Sequence, residues 1–462
     1  MKRIVPFVLA VALFMENMDS TVIATSLPVI AQDLGTSPIA LKLALTSYYV
    51  SLAVFIPISG RMADRVGARL VFRLAIAVFC LGSLACATVT SLGGFVAARF
   101  LQGMGGAMMT PVGRLLLVRA VPKSDLVNAM AWFSLPALVG PLLGPPVGGA
   151  ISTYADWRWI FLINLPIGIV GIYLAGRFLP KLPTLPSIRF DLPGFFLSAL
   201  ACAGLVFGFS VVSLPALPPQ FGVAMIIAGL AAAVAFVFHA RRTPEPLLRL
   251  RLLKVRTLRA AIVGGSLFRI GAGAVPFLLP LMLQLGFGYT PLQSGLTTCM
   301  SIGGAMMMKF LAKPILSRFG FRATLCATAV IGGSMTALIG VFRPDTAVAM
   351  VVLALLVGGF FRSLFFTSIN TLAFADLGSR EAGDATAMIA AIQQVSIATG
   401  VALAGALLEA GMTLSGRSVV ALSDFALAFA VVGVVTGAAV LAFLRLPADA
   451  GDEVAGRRVP AE

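Results

Sequence analysis

Long, unbroken apolar runs alternate with short polar stretches along the whole chain. The runs show no every-second-residue alternation, so they predict helices and exclude a transmembrane β-barrel. A helix needs about 20 apolar residues to cross a bilayer. On that measure the pattern predicts fourteen spans, near residues 4–30, 41–59, 70–89, 93–113, 127–150, 159–179, 192–213, 220–239, 260–284, 293–314, 323–342, 346–370, 385–408 and 424–444. Lys2-Arg3 and the apolar run after it imitate a signal peptide. No small-x-small cleavage site follows, and Glu16 interrupts the run, so it reads as a retained first span.

Composition fits an all-α polytopic membrane protein. The 462 residues are 59% hydrophobic and 11% charged, with a mean hydropathy of +1.01. A soluble domain would carry about 25% charged residues. The net charge of +16 does not point to nucleic acid, because the basic residues fall between spans and not in one patch. With the N-terminus cytoplasmic, 27 Lys and Arg residues fall in cytoplasmic segments, against four in external loops: Lys42, Arg158, Arg343 and Arg417. That asymmetry sets the orientation, and an even number of spans leaves both termini cytoplasmic. Cys80, Cys86, Cys202, Cys299 and Cys326 all lie in apolar segments, with neither metal-ligand nor disulfide spacing. They read as packing residues, and no metal or other cofactor is expected. His239 ends a span beside Arg241 and Arg242 and reads as an interfacial residue. No segment between spans is long enough for a soluble catalytic domain, so an enzyme is not expected.

An internal repeat organises the spans. Gly35-Thr36-Ser37-Pro38 recurs as Gly288-Tyr289-Thr290-Pro291, Asp64 to Arg69 recurs as Ser317 to Arg322, and Gly105-Gly106 as Gly358-Gly359, always 253 residues apart. The domains expected are 1–180 and 256–446, each a six-helix bundle, with two inserted helices and a connector over 181–255 and a cytoplasmic tail over 447–462. The basic connector after Arg241 reads either as an amphipathic helix on the inner leaflet or as a plain surface linker.

The polar residues inside spans carry the candidate chemistry. The first span reads Phe14-Met15-Glu16-Asn17-Met18-Asp19-Ser20-Thr21-Val22. A charge at mid-membrane costs about 2.5–3.5 kcal/mol on insertion scales. Glu16 and Asp19 are three apart and share a helix face, which must point into protein or a watery interior. Arg99, Arg269 and Arg362 are cations inside spans. Asp19 is the natural partner of Arg99, in a pair that protonation breaks or in a static ion pair. Arg269 stands 253 residues after Glu16, and either faces it across a central cavity or finds its own partner. Gln393 and Gln394 either line the cavity or bridge helices. Arg362 has no acidic neighbour in sequence and no assigned role.

Gly60-Arg61-Met62-Ala63-Asp64-Arg65-Val66-Gly67-Ala68-Arg69 joins spans two and three. Its glycines permit a tight turn, and Asp64 can accept from a helix N-terminus or an arginine. This loop resembles the signature loop of the major facilitator superfamily, departing at Ala68, where that family often has a basic residue. Met18 to Pro28 resembles the first-span motif of its fourteen-span drug:proton antiporter branch, and Arg99 to Ala107 resembles the fourth-span motif. Gly140-Pro141-Leu142-Leu143-Gly144-Pro145-Pro146-Val147-Gly148-Gly149 resembles the antiporter motif of span five. Asp156 to Pro166 is typical of the same branch.

The resemblance covers nearly the whole chain. It implies two pseudo-symmetric six-helix bundles with two extra helices between them, and proton-coupled efflux of small amphipathic or cationic compounds by alternating access. The implied partners are a small-molecule substrate, protons and the lipid bilayer of a bacterial inner membrane, with the chain a monomer driven by the proton gradient. Asp19, Glu16 and Arg99 are the implied proton-coupling groups, with Asp19 the main one and Glu16, which is not part of the general pattern, tuning charge or substrate choice. Glu16, Gln102, Arg269, Gln393 and Gln394 are the implied cavity residues. Gly60, Asp64, Arg65, Gly67 and Arg69 of the loop are the implied gating residues, with Gly140, Pro141, Gly144, Pro145, Gly148 and Gly149 of span five. Proline and glycine let that span bend and slide, and a purely packing role stands beside this reading. The rivals are a transporter of one metabolite, including an importer, and a non-transporting membrane sensor.

Overall fold

A computed structural model describes residues 4–122, 125–184, 190–212, 218–309, 311–378 and 381–451. Lys2, Arg3 and most of the tail expected from 447 lie outside the described residues.

Helices joined by short turns and loops make up these segments. The helices are α1 (Ile4–Val22), α2 (Leu27–Asp33), α3 (Lys42–Met62), α4 (Ala68–Thr88), α5 (Leu92–Ala120), α6 (Leu126–Tyr154), α7 (Trp159–Leu162), α8 (Asn164–Phe178), α9 (Leu192–Val212), α10 (Pro219–Arg242), α11 (Arg256–Leu281), α12 (Pro291–Met308), α13 (Ala312–Ile339), α14 (Val348–Leu372), α15 (Ala382–Leu414), α16 (Leu422–Gly437) and α17 (Val440–Phe443). Among the described residues, 10 stretches are long and apolar enough to cross a membrane. One of them, Lys42–Thr88, is 47 residues long and holds two of the predicted spans. Helices α5, α6 and α12 stand where three further spans are predicted.

Departures from simple helix have local causes. The first predicted span loosens into a 3₁₀ turn at Ile23–Ser26 before α2, just upstream of Pro28, whose ring removes a backbone donor. Ala63–Gly67 is a π turn that ends at Gly67, with φ 105°. Gly320 takes φ 74° within α13, and Gly35 and Gly288 take 60° and 71°. Both glycine pairs are 253 residues apart, so each repeated loop carries its left-handed glycine at the same place.

Two compact units emerge, each with its own core. Unit one comprises Met1–Gly208, Gln220–Leu247 and Tyr289–Leu296; unit two comprises Phe209–Pro219, Leu248–Gly288 and Thr297–Glu462. In unit one α1 lies along α6, and α5 is held between α3 and α4, over a core that includes Phe72, Phe79, Met109 and Leu116. Small residues permit these approaches, because lipid tails give helices little reason to associate except tight packing. Gly103 on α5, for example, sits against the Tyr48 carbonyl of α3. In unit two Phe268 stacks on Phe365, with ring centres 3.7 Å apart, and Phe443 packs edge-on to Phe365. The inserted α9 and α10 expose Phe196, Leu200, Phe209, Phe221 and Ile227. Lys42, counted above with the external loops, instead opens α3 and is fully buried.

Candidate functional site

Asp19 sits at the centre of a buried polar network in unit one. α1 presents it towards α5, where Arg99 and Gln102 are three residues apart and therefore on one face. Arg99 Nη1 donates to Asp19 Oδ2 at 2.7 Å and to Gln102 Oε1 at 2.6 Å. Gln102 Nε2 donates to Asp19 Oδ1 at 2.8 Å and to Ser83 Oγ at 2.8 Å. Asn164, the first residue of α8, donates Nδ2 to Asp19 Oδ1 at 2.8 Å. The Arg99 guanidinium also lies over the Tyr48 ring, 4.3 Å from its centre. Asp19, Arg99, Gln102 and Asn164 are all buried. A buried ion pair is tolerable when further hydrogen bonds satisfy both partners, and here both carboxylate oxygens are used.

Glu16 stands one turn away, on the face it shares with Asp19, in different company. It is half-buried, and Thr110 Oγ1 on α5 donates to its Oε2 at 2.7 Å. Gly106, one turn before Thr110, leaves room for the Glu16 stem. One carboxylate is thus locked to a guanidinium and two amides, and the other holds a single hydroxyl.

The glycines of α6 form a flat stripe against α1. Gly140 faces the backbone of Phe14 and Met18, Gly144 faces Thr21, and Gly148 faces the Val22 carbonyl. A Cβ at any of the three would press on α1, the helix that carries both carboxylates. Gly149 faces Pro291 at the start of α12, and Pro145 presents its carbonyl to Gly295 and to the Thr25 hydroxyl. Pro141 is half-buried beside the stripe.

The signature loop is held from two sides. Arg119, near the end of α5, donates to Asp64 Oδ1 at 2.8 Å, and Arg61 donates to the Pro246 carbonyl at 2.9 Å. Arg65 is exposed and Arg69 half-buried, and Gly60 has open space where a Cβ would stand. At the far end of the first span, Asp33 accepts from Arg158 at 2.8 Å and from the Trp157 indole at 3.3 Å.

Of the other expected residues, Arg269 donates to Asn370 Oδ1 at 3.2 Å and packs over Phe366 within unit two. Gln393 and Gln394 are half-buried on α15. His239 does more than border the membrane. Its Nε2 lies 2.7 Å from Asp191 Oδ1, and Asp191 also accepts from the backbone N–H of Gly194 and of Leu247. Burial opposes the Asp191 charge, but these hydrogen bonds outweigh it and hold its carboxyl below the usual range. Sequence reasoning gave no role to Asn164, Ser83, Tyr48 or Thr110. Asn164 lies within the Asp156–Pro166 motif, which is the one available signal.

The major facilitator superfamily model matches residues 9–241 and 261–461. The "Putative multidrug resistance protein MdtD" of Salmonella paratyphi A is 38% identical over 405 residues, covering 87% of this chain and 85% of that protein. The protein of the same name from Salmonella typhimurium is 38% identical over the same shares. Among solved structures, a D-xylose-proton symporter superposes with a TM-score of 0.69 at 15% identity, covering 97% of this chain and 98% of the other. An auto-inhibited POT family peptide transporter gives 0.67 at 16% identity, over 100% and 98%. The chain therefore belongs to the major facilitator superfamily, whose members are membrane transporters and not enzymes.

Proposed function

We propose that this chain is a monomeric proton-coupled exporter of small amphipathic or cationic compounds in a bacterial inner membrane. It crosses the membrane fourteen times with both termini cytoplasmic, and it works by alternating access between bundles over 1–180 and 256–446. The 38% identity to proteins named for multidrug resistance supports the substrate class. One observation carries the mechanism: two carboxylates share a face of the first span and have unequal partners. Glu16, held by one hydroxyl, is the group that takes up and gives back the travelling proton. A cationic substrate can replace that proton as counter-ion. Asp19 stays ionised against Arg99, and that pair couples α1 to α5 through the conformational step. The Asp64–Arg119 pair braces the cytoplasmic loop, and the glycine stripe of α6 lets α1 move against it.

The test is purified protein in proteoliposomes with an imposed pH gradient and a panel of cationic and neutral amphipathic dyes. Uphill movement of several dyes that collapses with the gradient is the expected result. Movement of one metabolite only, or movement indifferent to the gradient, would replace this reading.

A further inference from the structure

Arg362 lies inside the α14 span, yet among the described residues it has no carboxylate partner. Its Nη2 donates to Ser301 Oγ on α12 at 2.9 Å. The contrast with Arg99 is chemical: Arg99 meets an acid, whereas Arg362 has five N–H donors and one hydroxyl to receive them. A guanidinium in an apolar span is costly unless an anion compensates it. The pair is held in place by backbone contact, because Gly359 sits on the Ser301 carbonyl and Gly304 on the Leu356 carbonyl.

Arg362 and Ser301 belong to the wall of a cleft that lies wholly within unit two, between α11, α12, α13, α14 and α16. Its cavity volume is about 30 Å³, and it opens outward at its mouth, so a ligand longer than a few atoms extends out through that opening. Phe268, Val275, Met335 and Leu355 make its apolar side. The Thr336 and Thr436 hydroxyls on its wall donate to carbonyls of their own helices. The donors left for a ligand are therefore the guanidinium and the Ser301 O–H. A cleft with a cation at one end and hydrocarbon along the other suits a ligand of matching polarity.

We propose that this cleft binds an amphipathic monoanion, its carboxylate or phosphate head on Arg362 and Ser301 and its hydrocarbon part along Phe268, Val275 and Met335. The head accepts from the guanidinium in a charge-assisted pair and from the Ser301 hydroxyl. Such a ligand can be a free carboxylic acid or an anionic phospholipid. The site is built from residues of unit two alone, and it holds whether or not the chain exports dyes.

The test is binding to the full-length, delipidated protein in detergent, read by calorimetry. Octanoate is the probe, with octanol and octyltrimethylammonium as its neutral and cationic counterparts. Octanoate should bind at least about tenfold more tightly than octanol, the charge-assisted pair making the difference, and the cation should not bind. Arg362→Gln should weaken octanoate by about tenfold or more, and Ser301→Ala by roughly threefold. Met335→Trp, which fills the apolar part and leaves the charge alone, should weaken it too. Native mass spectrometry after incubation with phosphatidylglycerol vesicles separates the two sources. Phosphatidylglycerol retained by the wild type, lost in Arg362→Gln and blocking octanoate identifies a lipid site; octanoate binding unaffected by the lipid identifies a free acid. Octanol binding as tightly as octanoate, or wild-type octanoate affinity in Arg362→Gln or in Met335→Trp, overturns the proposal.

Discussion

Asp19 and Glu16 are one helical turn apart, but substitution should affect them differently. Asp19→Asn leaves the Arg99 guanidinium buried without its anion. Breaking a buried pair from one side costs about 3–5 kcal/mol, so folded yield and melting temperature should fall along with export. Glu16→Gln removes a charge held only by Thr110. It should leave the melting temperature near wild type while export driven by a pH gradient drops by about tenfold or more. Wild-type export in Glu16→Gln would move the travelling proton to Asp19, the residue that sequence reasoning ranks first. The Asp19–Arg99 pair was legible because both are charges inside apolar runs, and such charges need partners. Asn164 and Ser83 were not legible. They are uncharged residues on other helices, and only the packing of α4 and α8 brings them to the same carboxylate.

At the scale of elements, the signature loop and the α6 stripe give paired tests. Gly67→Ala forces a side chain into a left-handed backbone and should cost about 1 kcal/mol or more. Gly60→Ala, at a position with open space, should stay within about 0.5 kcal/mol. Both are read by thermal melts. On α6, Gly144→Leu should push α1 away through Thr21 and cost roughly 1–3 kcal/mol of overpacking, with export lost even where the fold survives. The connector adds a pH dependence. Asp191 is held below the ordinary carboxylate pKa, so its contribution is complete above about pH 4. That contribution should fade as acid titrates the folded form. In thermal melts the advantage of wild type over Asp191→Asn should therefore be widest at neutral pH and close on acidification below about pH 4. Helix existence was readable from unbroken apolar runs, and the loop motif from its glycine spacing. The His239–Asp191 contact was hidden because 48 residues separate its partners.

For the whole molecule, the charge count and the repeat make one prediction of topology. Reporter fusions at Gly35, Pro218 and Arg417 should all report the external side; a cytoplasmic signal at Pro218 would remove the two inserted spans. The repeat was readable in sequence at three places, and the matched left-handed glycines repeat it in the backbone. The partners of Arg269 and Arg362 were not readable, because no acid accompanies either in the chain and both meet neutral groups in space. The Asp19–Arg99 pair has a consequence for electrical work. The two charges cancel, so Glu16 is left as the carboxylate of the first span whose charge changes when a proton arrives. One unit charge moved through 100 mV corresponds to about 2.3 kcal/mol. Exchange of one proton for a neutral compound then moves one charge per turnover, and exchange for a monovalent cation moves none. With pH equal on both sides and a potassium diffusion potential imposed, voltage alone should drive the neutral dyes and leave the monocationic ones where they are.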